Sequence, residues 1–103
     1  MEQQQFTVIA DLTALTGFEQ EILELIKELV AICRKQPEVL YYSSSEVIAE
    51  PGRFVFFEVY HSKEAFEINK NADHTQHFFK AVQGKLKGDG IKATFLEEVK
   101  VTQ

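Results

Sequence analysis

From Phe18 to Cys33 the apolar residues fall at Phe18, Ile22, Leu25, Ile26, Leu29, Val30 and Cys33, in steps of three and four. That period places them on one stripe of a helix. Glu19, Glu21, Glu24, Lys27, Glu28 and Lys35 lie mostly off the stripe. Thr16 and Glu19 have capping-box spacing at its start, and Pro37 stops it. On either side the pattern changes to that of strands. Residues 6–12 are rich in β-formers, and residues 39–48 read as a strand with a polar centre at Ser43, Ser44 and Ser45. Glu50-Pro51-Gly52-Arg53 is a turn signal, so residues 54–60 return as the second arm of a hairpin. Ser62 caps a short helix over 63–69, and Asp73 with Gln76 opens another that runs to about Leu86 and stops at Gly88. Residues 91–101 alternate, with Ile91, Ala93, Phe95, Val99 and Val101 on one side.

The order is βαββαβ, with the second helix in two pieces. It predicts a ferredoxin-like α+β domain, a four-stranded antiparallel sheet with helices on one face, over residues 1–103 with residues 1–5 loose. The segment Phe54-Val-Phe-Phe-Glu-Val-Tyr60 carries the main functional clue. If Val55, Phe57 and Val59 pack under the helices, then Phe54, Phe56, Glu58 and Tyr60 point the other way. A sheet face carrying three aromatics needs a cover, either a second subunit or a ligand. Glu58 among them is costly to bury unless hydrogen-bonded or protonated, so it sits in a pocket or pairs with a cation of a neighbouring strand.

Composition narrows the functions. With 103 residues the chain is one domain with room for one core. Lys and Arg number 11 against 16 Asp and Glu, and the net charge of −5 argues against nucleic acid or an anionic membrane as partner. The single cysteine, Cys33, excludes a disulfide framework, and no Cys/His spacing suits structural zinc. No apolar run reaches the roughly 20 residues of a spanning helix, and Met-Glu-Gln-Gln-Gln is not a signal-peptide opening. A cytoplasmic protein is the expectation.

The stretch from Phe54 to Phe66 (Phe-Val-Phe-Phe-Glu-Val-Tyr-His-Ser-Lys-Glu-Ala-Phe), followed by Asn69-Lys-Asn-Ala-Asp-His-Thr-Gln-His-Phe78, resembles the antibiotic biosynthesis monooxygenase family. That family shows an apolar strand ending Glu-x-Trp/Tyr, then a Ser/Asp-x-Glu-Ala-Leu/Phe segment, then His-x-x-Thr-Pro-His-Phe. Val8-Ile-Ala10, the Thr16-Gly17 turn and the long first helix fit as well, so the resemblance spans almost the whole chain. It is most similar to the small quinol monooxygenase type. The resemblance implies a protomer that dimerises through its sheet face into an α+β barrel. It also implies cofactor-independent oxygenation of a quinol-like or phenolic aromatic molecule. Two positions depart from the pattern: the first family His falls on Asn69, and the Pro before the second falls on Asp73. Haem degraders of this fold need Asn, Trp and His where this chain has Ala10, Asn69 and Phe79, so haem is not the expected substrate.

On this reading His74 is the base. It lies in the first helical turn, one turn before Phe78, where an apolar surface and the positive end of the helix dipole favour the neutral imidazole. The alternative is a helix-start residue bonded to backbone. Asn69 joins His74 as a catalytic candidate. Glu58, Tyr60, Phe56, Phe78 and Tyr42 are the substrate-binding candidates, although Phe78 at helical spacing also suits a core. His77 and His74 are only two metal ligands at i, i+3, and a stable site needs a third, so no metal is expected. Cys33 reads as an inert core residue and His61 as a loop residue. Two rivals remain: an isomerase of a phosphorylated signal, for which Arg53 and Lys63 are a thin cationic supply, and a non-enzymatic binding module.

Overall fold

The computed structural model describes residues 4–102. The elements run β1 (Phe6–Thr13), α1 (Glu19–Cys33), β2 (Val39–Glu46), β3 (Arg53–Tyr60), α2 (Lys63–Asn71), α3 (Asp73–Ala81) and β4 (Lys92–Glu97). The four strands form one antiparallel sheet in the order β2-β3-β1-β4, which is the ferredoxin-like arrangement. Most of the expectation of a loose start falls on residues 1–3, outside the described residues; Gln4 Nε2 donates to Glu98 O at 2.7 Å. Among the described residues no helix is long and apolar enough to cross a membrane.

One face of the sheet carries all three helices. Ile22, Ile26, Leu29 and Cys33, the predicted stripe of α1, are buried against Ala10, Leu12, Tyr42, Phe54 and Phe56. Ala65 of α2 closes over Val8 and Tyr60. This reverses the expected orientation of β3. Phe54, Phe56, Glu58 and Tyr60 lie beneath the helices, at most 7% exposed, while Phe57 on the opposite face is 43% exposed. The physical reason is volume and hydrogen bonding. Phe54, Phe56 and Tyr60 bring more apolar volume to the sheet–helix interface than the opposite set does, and Glu58 is tolerated there because Tyr60 donates to its Oε1.

The register shows which residues share each face. Val8 pairs with Glu58, Ala10 with Phe56 and Leu12 with Phe54 on the helix side. Ile9 pairs with Phe57 and Tyr41 with Val59 on the open side.

Several element ends differ from expectation. Thr16 makes no cap: Gly17, at φ 96°, turns the chain, Phe18 takes the N-cap position, and the Glu19 carboxylate accepts the Gly17 N–H at 2.8 Å. Ser62 does cap α2, accepting the Ala65 N–H. Asp73 is the first residue of α3 rather than its cap, and Gln76 Nε2 donates to Lys70 O. α3 ends at Ala81, well before Leu86, because Gly84 at φ 77° leaves the helical region. The following segment then bonds to the end of β1, through Leu15 N to Lys85 O and Lys87 N to Thr13 O. β4 stops at Glu97 because its partner β1 begins at Phe6, and Val99 and Val101 are exposed.

Candidate functional site

Beside the packed core, the helix face of the sheet and the helices line a cavity of about 240 Å³ that opens to the surface. Its position follows from the side chains around it. Toward β2, the long α1 stripe and the rings of Phe54 and Phe56 fill the interface. Toward β1 and β4, the sheet offers small residues, Ala10 and Ala93, and the space above them stays open. Phe56 of β3 and Phe78 of α3 form an edge-to-face pair at 6.2 Å on its wall, and Phe66, Phe79 and Phe95 add further aromatic surface.

A polar chain crosses this apolar wall. Tyr60 Oη donates to Glu58 Oε1 at 2.6 Å. Asn69 Nδ2 donates to Tyr60 Oη at 3.1 Å. Asn69 Oδ1 lies 2.8 Å from His74 Nε2. Asn69 Nδ2 also lies 3.5 Å from the Cys33 sulfur. Strand alternation places Glu58 and Tyr60 on the same side of β3, and the Ser62 cap fixes the entry of α2 so that Asn69, two turns on, reaches them.

Burial tunes these groups in one direction. It pushes the Glu58 carboxyl up from 4.5 to about 7, and the hydrogen bond from Tyr60 only partly offsets this. The Tyr42 and Tyr60 hydroxyls are raised above their ordinary value, first by burial and then by the Glu58 charge. Cys33 is pushed to about 11, again by burial first. The phenols and the thiol therefore stay protonated at neutral pH, and Glu58 is the buried group that titrates there.

Six candidates from the sequence line the cavity: Glu58, Tyr60, Phe56, Phe78, Tyr42 and Asn69. His74 does not. It is half-buried and lines a separate cleft of about 270 Å³ between α1 and α3, beside Leu25 and Ile32 of α1, and meets the cavity network only through Asn69. His77 is exposed and 4.0 Å from Glu28. Among the described residues no three His, Cys, Asp or Glu side chains gather as a metal site requires.

Sequence reasoning missed Thr75 and Lys70. Thr75 lines the cavity, is 7% exposed, and its Oγ1 is buried with no hydrogen-bond partner. It stands at i, i+3, i+4 with Phe78 and Phe79, so helical spacing was the available signal. Lys70 is the cationic side chain on the cavity wall and is itself exposed. Arg53 faces away on the open side, where its guanidinium holds Asp11 and Glu50.

A family model described as antibiotic biosynthesis monooxygenase matches residues 5–81. Among curated proteins none matches in sequence. The fold is similar to a crystal structure of an antibiotic biosynthesis monooxygenase, with 25% identity, 94% of this chain and 99% of that chain covered, and TM-score 0.81. It is also similar to a Pseudomonas aeruginosa protein at 22% identity, covering 97% of this chain and 99% of that one with TM-score 0.88. A Mycobacterium tuberculosis protein matches at 19% identity over 96% and 99% of the two chains, with TM-score 0.87.

Proposed function

Since the chain belongs to the antibiotic biosynthesis monooxygenase family, we propose that it oxygenates a quinol-like or phenolic aromatic small molecule in this cavity without a resident cofactor. The observation that carries the reading is the Glu58–Tyr60–Asn69 chain set into a largely apolar wall rich in aromatic rings. Such a wall binds a flat apolar ring and orients one hydroxyl. The cavity is smaller than the roughly 300–1,000 Å³ of drug-sized ligand pockets, so one or two rings are the fitting size.

Removing the phenolic proton leaves an electron-rich anion that reduces dioxygen directly. For a hydroquinone the balance is quinol plus dioxygen to hydroxyquinone plus water. Two electrons come from the quinol and two from the ring C–H, and the four reduce dioxygen. One oxygen atom becomes the new ring hydroxyl and the other leaves as water. Phe56, Phe78 and Tyr42 shape the ring site, and Tyr60 and Asn69 orient its oxygen. His74 positions Asn69. A phosphosugar isomerase fits less well, because Lys70 is the cation at the cavity and Arg53 is held on the other face.

The same reading makes the protein a cytoplasmic homodimer through its open sheet face. Support comes from Tyr41 and Phe57, an exposed edge-to-face pair at 5.8 Å, with Leu96 exposed on the same face. Oxygen uptake with a panel of reduced quinones, using protein stripped of metals and flavin, tests the function. The expected result is uptake above autoxidation, with one ¹⁸O atom from labelled dioxygen in the product. Tight aromatic binding without uptake would instead favour the binding module, and turnover of a phosphosugar without oxygen the isomerase.

A further inference from the structure

We propose that Glu58, not His74, takes the proton of the bound phenolic hydroxyl. This rests on reading the cavity as a phenol site. With Glu58 ionised, the hydrogen bonds all run toward it: His74 to Asn69 Oδ1, Asn69 Nδ2 to Tyr60 Oη, and Tyr60 Oη to Glu58 Oε1. The carbonyl oxygen of Asn69 only accepts, so Nε2 of His74 carries a hydrogen. The atom that His74 turns to the network is thus a donor. The amide between His74 and the cavity does not pass a proton on.

Glu58 has what His74 lacks. It lies on the cavity wall, Tyr60 occupies only Oε1, and among the described residues no protein donor reaches Oε2. A substrate hydroxyl is the missing donor. In the step, the O–H bond breaks, its electron pair stays on the phenolate oxygen, and the proton moves to Oε2 to give the neutral carboxyl.

The surroundings suit a base. α1 presents Cys33 and β2 presents Tyr42, both held protonated by burial. α2 presents Asn69 and, at the mouth, Lys70. α3 presents Thr75 and Phe78, with His74 behind Asn69. β1 and β4 present Val8, Ala10, Ala93 and Phe95, with Glu97 exposed at the far end of β4. No cation pairs with Glu58 among the described residues, so its charge is poorly compensated and its proton affinity is high.

The test compares wild type, Glu58→Gln and His74→Gln, each checked for folding by circular dichroism. Binding of 1-naphthol is followed by its fluorescence between pH 5.5 and 8.5, which needs no turnover. Wild type should bind roughly tenfold tighter at the high end, the gain of a hydrogen bond to a charged acceptor. The rise should centre near pH 7, persist in His74→Gln, and vanish in Glu58→Gln. With 1,4-naphthohydroquinone and oxygen, Glu58→Gln should lose about 10²–10⁴ in kcat, the usual range for a general base.

A pH-independent wild-type affinity overturns the proposal, as does an unchanged rise in Glu58→Gln or a rise lost in His74→Gln. So does a Glu58→Gln kcat within about threefold of wild type. A Glu58-dependent rise with no oxygen uptake by wild type keeps Glu58 as the acceptor and rejects the oxygenase. No naphthol binding at all rejects both.

Discussion

Glu58→Gln should stabilise the protein at pH 8 and leave it unchanged at pH 4.5. The carboxyl is held at about 7 in the folded state against an ordinary 4.5, chiefly by burial. Between those values the native protein keeps a proton that the unfolded chain has released. Stability therefore falls as pH rises from about 4.5 through 7 and levels off above. At about 1.4 kcal/mol per pH unit, the ionised carboxylate costs the fold about 3 kcal/mol. Glutamine has nearly the same shape, carries no charge, and still accepts the Tyr60 hydroxyl through Oε1. Urea denaturation at fixed protein concentration reads the difference. With an m-value of about 1–3 kcal/mol/M, the midpoint of the variant at pH 8 should rise by about 1 M or more. At pH 4.5 the two midpoints should coincide. A gain of equal size at both pH values, or none at pH 8, would refute the assignment of the cost to a buried charge.

Other perturbations separate packing from binding. Phe56→Ala removes a ring that is 3% exposed and touches Tyr42 and Phe78; urea denaturation should show a loss of about 3–5 kcal/mol. Thr75→Val removes a buried hydroxyl with no partner. Thermal denaturation should show a gain of about 1 kcal/mol, while anaerobic calorimetry should show weaker binding of 1,4-naphthohydroquinone and unchanged binding of 1-naphthol. Phe57→Glu places a charge on the open sheet face; sizing should show a dimer for wild type and a folded monomer for the variant.

Elements with one apolar period were legible in the sequence. The stripe Ile22, Ile26, Leu29 and Cys33 is buried as the 3.6-residue repeat requires. The Ser62 cap and the hairpin turn at Gly52, φ 90°, also stand where their local chemistry puts them. β3 was ambiguous because both of its faces are apolar, so alternation locates two faces without saying which is covered. Val55, Phe57 and Val59 were the set expected under the helices, with Glu58 on the other side. What reverses that inference is non-local: Asn69, nine residues beyond Tyr60, arrives from α2 to complete the hydrogen bonds. The surroundings of His74 were legible only in part, for a related reason. Its position on α3 was readable, but the interposed Asn69 side chain was not. The α3 terminus turned on Gly84 rather than on Gly88, and both glycines have positive φ, so the local pattern offered two stops without saying which one acts.

The account stands most directly on where a small phenol binds. A crystal structure with 1-naphthol should place the ring over Ala10 and Ala93, against the Phe56–Phe78 pair, with its hydroxyl oxygen about 2.5–2.7 Å from Glu58 Oε2, the length of a hydrogen bond to a carboxylate. Naphthol seated on the open sheet face, or a cavity filled by Phe66 and Phe79 with no ligand in it, would contradict the account.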